Sequence, residues 1–521
     1  MPTNRKIYWT FFIILTVSTL IRGFIAGFIE LGNDEVYYLN YAKFPALSHF
    51  DHPPMLGYVI QIFTLNLTFD NEFFLRLAAV VFGTLSTGLM FLIGRFIKDA
   101  LTGLYASILF TASFYGFVLS GTFILPDTPQ VFFWLLTLYL FLKSLPDREL
   151  TQKSRILLLL AGATSGLALL SKYHSVFLLT GMVLFIIIYN RRWFRAKETY
   201  GALLIFILLS LPIVLWNAGN GFISFTYHEN RVSITESGLQ LQYFLTEIAG
   251  EFFYNNPVNV LIILTAFVAL IRRRQFIRAD YLRIILLVSV PLVLVFQSFS
   301  LFRSTLPHWT GPGYLGFILI AAAFLSEQKR PGERKSILPW PLALSLGFLL
   351  MVAVTAVGQI KYGWVPFGKY KMDDVTHDLT GWKQLGDKFA PVEKDDRLHG
   401  VMKKNSPILT FRWFPAANFD YYVGGPINKP VYAIGSLERI HKYHWINHDR
   451  GNLKQGSDAY YIALSDDYED PAALYGALFD SIAPPDTLYI TRGSDTVREA
   501  FVYRLKNLKK EMRFSLKISG N

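Results

Sequence analysis

Long apolar runs limit what this chain can fold into more than any other feature of its sequence. Three of them cover residues 7–21, 156–170 and 338–357. Each is close to the length that crosses the hydrocarbon core of a bilayer, about 20 residues in a helix. The composition agrees, because 52% of the residues are hydrophobic and only 17% are charged. The sequence therefore predicts a polytopic α-helical membrane protein and argues against a soluble cytosolic enzyme.

A hydropathy window of about 19 residues predicts eleven membrane spans, with boundaries that are soft by several residues. They are 7–28, 77–97, 101–119, 126–145, 156–171, 175–189, 201–217, 257–271, 282–299, 310–326 and 338–357. The first run lacks a small-residue cleavage pattern, so it is expected to be a retained helix and not a signal peptide.

The basic residues between the spans predict the orientation. If the N-terminus is cytoplasmic, the inward connections hold most of the Lys and Arg residues, as membrane topology requires. The outward connections then carry only Lys43, Arg76, Lys172, Arg231 and Arg303. The formal net charge of +12 is thus attributed to membrane topology, and no nucleic-acid partner is expected.

An odd number of spans places the residues after Gln359 outside the cytoplasm, where the composition changes to mixed charge with Gly and Pro. The predicted domains are therefore a membrane domain, 1–358, with its outer loop 29–76, and a soluble domain, 359–521. The soluble domain is expected to be a small α/β unit. The predicted strands are 408–411, 430–434, 459–464 and 487–491, and the predicted helices are 380–389, 472–481 and 494–507.

The first outer loop contains two groups of ionisable residues. Asp34 and Glu35 follow the first span, and a carboxylate near a membrane surface suits a general base or a metal ligand. A helix cap explains the same pair equally well, with Asn33 or Asp34 capping and Glu35 favouring the positive helix end. The second group is His49, Asp51 and His52, which could bind a divalent metal, although hydrogen bonding alone is favoured because further ligands are missing. Chain-wide, the absence of cysteine excludes disulfides, thiolate metal sites and cysteine nucleophiles.

Further ionisable residues are predicted at the outer ends of spans: Asp127, Lys172, Arg231, Arg303 and His308. Each alone could be an interfacial anchor. Together they predict a site that holds a phosphate beside an acid or base, since charges at membrane depth tend to line functional cavities. Lys172 has no acidic neighbour in the sequence, which favours an anionic ligand as its partner. Aromatic residues beside these groups, Tyr37 among them, are candidates for binding.

Several motifs, in order, resemble those of one group of enzymes. They are NDEVYYLNYA, HFDHPPM, EFFLRL, LPDTPQVFFWLLTLYLF, GLALLSKYHSVFLL, WNAGNGFISFTYHENR and PHWTGPGYL. They resemble the signatures of bacterial membrane glycosyltransferases of the GT-C superfamily, relatives of protein O-mannosyltransferases and lipid A aminoarabinose transferases. The resemblance spans about residues 5–325, and residues 359–521 match more loosely.

The resemblance implies a bundle of eleven to thirteen spans with a periplasmic C-terminal domain, located in the bacterial inner membrane. It also implies a polyprenyl-phosphate sugar as donor, of the undecaprenyl type, and inverting transfer to a lipid, protein or glycan acceptor. By motif, Asp34 corresponds to the catalytic base and Glu35 to its support. Asp127 corresponds to the acidic residue that opens the fourth span. Lys172 and Arg231 correspond to residues that bind the carrier phosphate. His308 corresponds to an aromatic residue or histidine beside the donor, and the position that corresponds to Arg303 is less well defined.

A transporter or flippase for lipid-linked sugars is the alternative, since it too would place charges in the membrane. Transporters usually show repeated halves with polar groups near the midplane. This sequence shows no repeat, and its charges gather at one predicted face, which favours an enzyme over the transporter and over a receptor. The sugar, the acceptor, metal dependence and the oligomeric state are left open by the sequence.

Overall fold

The computed structural model describes residues 4–232, 238–328, 337–366 and 374–516. The chain forms two compact units. The first comprises Met1–Gly27 and Ala46–Ala353, and the second comprises Phe28–Pro45 and Val354–Asn521. A short segment after the first span thus belongs to the same unit as the C-terminal residues. The predicted boundary at residue 358, between a membrane domain and a soluble domain, stays a prediction.

The first fifteen helices account for most of the chain up to residue 362. They are α1 (Asn4–Phe28), α2 (Asn33–Lys43), α3 (Met55–Phe63), α4 (Glu72–Ile97), α5 (Ala100–Ala112), α6 (Asp127–Ser144), α7 (Gln152–Ser171), α8 (Val176–Tyr189), α9 (Lys197–Gly219), α10 (Ile223–Val232), α11 (Leu241–Tyr254), α12 (Pro257–Ile271), α13 (Ala279–Ser300), α14 (Gly311–Glu327) and α15 (Trp340–Tyr362).

Each of the eleven predicted spans overlaps one of these helices, so a polytopic helical fold is confirmed. The predicted span 101–119 is matched only in part, because α5 ends at Ala112. By length and composition, seven helical segments in the described ranges could cross a membrane. The number becomes eight if α11 and α12, which meet at a bend of 100°, are counted as one span. Several others, such as α5 and α8, are shorter than about 20 residues. The exact number of spans therefore remains a prediction.

The helices α6 and α7 form a hairpin whose faces pack closely along their length. Because the connection at residues 145–151 is short, the first turn of α6 and the last turn of α7 lie at the same end. The segment before α6 contains a π-helical turn, Tyr115–Leu119. The buried Arg22 side chain donates to Gly116 O in this turn at 3.2 Å. A cation on α1 thus holds the turn that contains Tyr115.

The second unit is built around a six-stranded mixed sheet. Its strands are β1 (Ile408–Thr410), β2 (Val431–Ala433), β3 (Ala459–Leu464), β4 (Phe479–Ile482), β5 (Asp486–Arg492) and β6 (Asp495–Leu508). Strand β1 is parallel to β2 and β3, whereas β6 pairs antiparallel with β3, β4 and β5. The accompanying helices are α16 (Trp382–Leu398), α17 (Trp413–Asn418), α18 (Leu437–Ile440), α19 (Tyr443–Arg450) and α20 (Pro471–Tyr475). The predicted α/β class is confirmed.

Two predicted helices of this unit are wrong in whole or in part. Residues 494–507 form strand β6, because alternate residues, including Arg498, Ala500 and Val502, face the buried side of the sheet. Ordered pairing with three other strands outweighs the helical preference of this segment. The helix predicted at 472–481 ends at Tyr475, and the chain continues as β4.

Candidate active site

A buried ion pair joins the start of α6 to the end of α7. Lys172 Nζ lies 2.8 Å from Asp127 Oδ2, and each side chain is only 3% exposed. The Tyr115 hydroxyl donates to the second carboxylate oxygen, Oδ1, at 2.9 Å. Asp127 is the first residue of α6 and Lys172 caps α7, so the hairpin brings the two charges together. These three residues are called the Asp127–Lys172 cluster below.

The fold supplies Lys172 with the acidic neighbour that the sequence does not show. An ammonium group has three donors, and within the described ranges Asp127 is the acceptor that it reaches. A buried pair of this kind contributes little net stability, because both charges lose their water. Ionisable groups at membrane depth usually mark functional sites. The pair therefore suits a site in which an anionic ligand shares Lys172 with Asp127.

Histidines from four separate segments lie near this cluster: His52, His174, His228 and His308. His174 interacts electrostatically with Lys172 and with the other three histidines. The rings of His52 and His228 are 6.5 Å apart, and His52 also interacts with Lys172. Four imidazoles and one ammonium thus share a small region of the first unit.

His52 and His228 lie away from the helical segments that could cross a membrane, and both are held uncharged. Burial lowers the pKa of His52 to about 3, against the opposing effect of Asp51. Burial also lowers the pKa of His228, although its Nε2 lies 2.9 Å from the carbonyl oxygen of Asp51. Neutral imidazoles can donate or accept hydrogen bonds without adding charge. They therefore suit the hydroxyl groups of a ligand better than its phosphate.

Arg231 is exposed and lies against the aromatic residues beside the histidines. Its guanidinium is 5.1 Å from the centre of the Trp309 ring, a cation–π distance. His174 also lies beside Trp309, with ring centres 5.7 Å apart. His308 precedes Trp309 and lies 6.2 Å from the Tyr254 ring. Arg231 and His308 are thus brought to the region of the cluster, whereas Arg303 lies half-buried in the turn after α13.

The two carboxylates after the first span lie in the first turn of α2, in the second unit. Glu35 is 2% exposed, and its Oε2 accepts a hydrogen bond of 2.9 Å from the backbone amide of Gly32, the residue that caps α2. This contact is the helix-capping role that competed with a catalytic one. Asp34, in contrast, is exposed. Tyr37 is buried, with its ring 4.9 Å from that of Trp413.

The described ranges contain no group of three or more His, Asp and Glu residues arranged to hold a metal ion. His228 on α10 bonds through Nε2 to the carbonyl oxygen of Asp51, which lies in the segment before α3. Ser224 Oγ likewise donates to the carbonyl oxygen of His49 at 3.1 Å. These two hydrogen bonds attach the segment before α3 to α10.

Sequence reasoning did not select Tyr115, His174 or a pair of carboxylates on α11. Glu247 and Glu251 are each 1% exposed, and Glu251 Oε2 accepts hydrogen bonds from Gln297 at 2.9 Å and Tyr314 at 3.0 Å. Two acids spaced four apart in the apolar run FLTEIAGEFF could have indicated a buried pair. His174, two residues after Lys172, could have been selected by its position beside that lysine. No spacing pattern in the sequence indicates Tyr115.

Residues 51–216 match the family described as dolichyl-phosphate-mannose-protein mannosyltransferase. This range includes His52, Asp127 and Lys172. Lipid A galacturonosyltransferase RgtD from Rhizobium johnstonii is 22% identical over 306 residues, which cover 58% of this chain. The chain spans 62% of the length of that relative.

Solved structures of a bacterial membrane protein share the fold. The crystal structure of ArnT from Cupriavidus metallidurans bound to undecaprenyl phosphate superposes with a TM-score of 0.59 at 14% identity. The match covers 94% of this chain and 97% of ArnT. The same protein in the apo state gives a TM-score of 0.58 at 13% identity. The resemblance to the GT-C superfamily that the motifs indicated is confirmed.

Proposed function

We propose that this protein is a membrane glycosyltransferase that takes a sugar from a polyprenyl-phosphate carrier of the undecaprenyl type. The acceptor is a lipid, a protein or a glycan. The family match over residues 51–216 and the similarity to a lipid A galacturonosyltransferase support the activity. The likeness to ArnT, whose structure was solved with undecaprenyl phosphate, supports the class of carrier.

The observation that carries this proposal is the Asp127–Lys172 cluster. Its ammonium is buried, is balanced by one carboxylate and has neutral histidines nearby. In such a place Lys172 binds the carrier phosphate and stabilises the charge that develops on it as the bond to the sugar breaks. Asp127 orients the ammonium and keeps it charged before the carrier arrives.

Arg231 and His308 extend this phosphate site. Arg231 lies over Trp309 and is an exposed residue, so it can pair with the phosphate without leaving the aromatic ring. His308 interacts with both Lys172 and Asp127. His52, neutral at pH 7, is assigned to a sugar hydroxyl, and Arg303 to the outer part of the carrier site.

Asp34 is the proposed catalytic base. It removes the proton from the acceptor hydroxyl or amine as that group attacks the anomeric carbon, which inverts the configuration in one displacement. Its exposure is what a group that meets an incoming acceptor requires. Glu35 fixes the start of α2 through Gly32 and thereby positions Asp34. Tyr37 is buried and supports the same helix from within the second unit.

The protein is a multipass membrane protein, and we assign it to the bacterial inner membrane with a cytoplasmic N-terminus. The distribution of basic residues between the spans supports this orientation. Domain 1–358 then spans the membrane, and domain 359–521 lies on the periplasmic side.

The direct test is transfer by the purified protein in detergent, from a panel of radiolabelled undecaprenyl-phosphate sugars to native membrane extract. Wild-type protein is expected to label an acceptor or to release free carrier. Asp34→Asn should abolish transfer while carrier binding persists, and Lys172→Ala should weaken both.

Matched controls replace a carboxylate and an ammonium that are not part of the proposed site. Asp449→Asn removes an aspartate whose side chain is 54% exposed, and Lys98→Ala removes a lysine paired with the exposed Glu327. Both should transfer like wild type. No turnover with any donor, together with intact carrier binding, would shift the function to a flippase or a receptor.

A further inference from the structure

The second unit contains a cavity of about 630 Å³ that the proposed chemistry does not use. This volume is in the range of sites for small ligands, about 300–1,000 Å³. Its walls come from the β5–β6 hairpin, from the turn Val375–Leu379 and from the end of α15. The cavity and all of these walls belong to one compact unit.

Arg492, near the end of β5, lines this cavity and is only 6% exposed. Its Nη1 donates to Asp374 Oδ2 at 2.6 Å. Its Nε and Nη2 have no hydrogen-bond partner in the part of the chain that the structure describes. Buried donors are nearly always satisfied, because an unpaired one is costly. The two nitrogens form one edge of the guanidinium, where two parallel N–H groups can bind two ligand oxygens.

Arg492 is held in place by a saturated carboxylate. Asp374 also accepts hydrogen bonds from Gln359 Nε2 at 2.8 Å and from the amide of Thr376 at 2.9 Å. Burial alone would raise the pKa of Asp374, but the bonds from Thr376, Arg492 and Gln359 outweigh it and lower the pKa to about 2. The carboxylate thus stays charged, and the free edge of Arg492 is fixed before a ligand arrives.

A second arginine and several aspartates add further polar groups to the walls. Arg498 on β6 donates from Nε and Nη2 to Asp466 Oδ2, at 2.9 and 2.7 Å. In total the lining holds three arginines and five aspartates, with His377 beside them. Acidic groups outnumber basic ones, so a phosphate or carboxylate would enter against an unfavourable net charge.

The walls also offer aromatic faces. Tyr362 lines the cavity, is 63% exposed and stacks on Trp364, with the two ring planes 17° apart. Phe414 lies on the wall as well. Fixed donors, many acceptors and aromatic surface together suit an uncharged ligand with several hydroxyl groups.

We propose that this cavity binds an uncharged sugar residue, through the Nε and Nη2 edge of Arg492, and that this sugar is part of the acceptor. The assignment of the sugar to the acceptor rests on the proposed glycosyltransferase function. The cavity is linked to the proposed base within the same unit, because Asp378 on its wall hydrogen-bonds to the side chain of Asn33, the residue before Asp34. A glycan-bearing acceptor bound in this cavity is therefore held by the same unit that contains the proposed base, Asp34.

The test measures glycan binding alone, without any donor. Fluorescently labelled full-length protein in detergent is applied to an array of uncharged, cationic and anionic oligosaccharides. We expect binding to uncharged glycans, with affinity reduced at least about tenfold in Arg492→Lys, which keeps the charge but loses the forked edge. Arg513→Lys, at a side chain that is 79% exposed, is the matched control and should bind like wild type.

A second variant guards against misfolding at the buried Arg492. Thr496→Trp places a bulky ring at an exposed position on the cavity wall and should block binding while the fold is kept. The proposal is overturned if no uncharged glycan binds, if only anionic glycans bind, or if both variants bind like wild type. Failure here leaves donor transfer and carrier binding unaffected, so it is distinguishable from a failure of the proposed function.

Discussion

Removing the charge of Lys172 while Asp127 remains is expected to destabilise the first unit strongly. The two groups are 2.8 Å apart and each is 3% exposed, so Lys172→Met leaves a carboxylate buried without its counter-ion. Breaking a buried pair in this way costs about 3–5 kcal/mol. The thermal unfolding midpoint in detergent, measured by intrinsic fluorescence, should therefore fall well below that of wild type.

The double variant Lys172→Met with Asp127→Asn is expected to recover most of that loss. It removes both charges, and replacing a buried pair as a whole is often neutral or stabilising. The new amide can still accept the hydrogen bond that Tyr115 makes to Oδ1. Carrier binding should not recover, since the lost contact with phosphate is worth about 1.5–3 kcal/mol, roughly 10- to 150-fold in affinity.

Stability and binding are thereby separated in one experiment. A pair with a purely structural role would give a double variant that is stable and still binds undecaprenyl phosphate, which would refute the role assigned to Lys172. A double variant as unstable as Lys172→Met alone would refute the claim that the two charges compensate each other.

Four further outcomes follow from the site. Asp34→Asn should lower transfer by about 100-fold or more with carrier affinity unchanged. Equal transfer by Asp34→Asn and wild type would exclude Asp34 as the catalytic base. Glu35→Ala should lower the free energy of unfolding by about 1 kcal/mol. His52 is neutral when folded, with a pKa of about 3 against about 6.5 unfolded, so the unfolded chain takes up the extra proton as pH falls. Wild type should then lose about 2 kcal/mol more than His52→Gln between about pH 7 and about pH 5, and parallel stability curves would contradict this. Arg231→Ala should weaken carrier binding severalfold, and the effect should depend on salt because Arg231 is exposed. A carrier affinity that changes neither with the substitution nor with salt would contradict the role of Arg231 in binding the phosphate.

Helix positions could be predicted from the sequence because a bilayer imposes a length and a hydrophobicity on each span. Every predicted span overlaps a helix, and Asp127 and Lys172 stand at helix ends as expected. Their mutual bond could not be predicted, because it depends on how α6 packs against α7 and the two residues are 45 positions apart. The same limit applies to the hydrogen bond from Tyr115, which lies in the π-helical turn, to Asp127.

The second unit was harder to predict for a related reason. Segment 494–507 has apolar residues that fit both helical and strand spacing, and only pairing with β3, β4 and β5 selects the strand. Residues 28–45 belong to this unit, but their amino-acid composition does not indicate it. Contacts such as the hydrogen bond from the Leu31 amide to the Tyr422 hydroxyl, at 2.7 Å, join residues that are 391 positions apart.

The central claim is that Lys172 holds the phosphate of a polyprenyl carrier, and native mass spectrometry of the purified protein with undecaprenyl phosphate tests it most directly. Wild type and Lys98→Ala are expected to retain the bound lipid, while Lys172→Ala should retain at least about tenfold less. A folded Lys172→Ala protein that binds the lipid as well as wild type does would contradict the account.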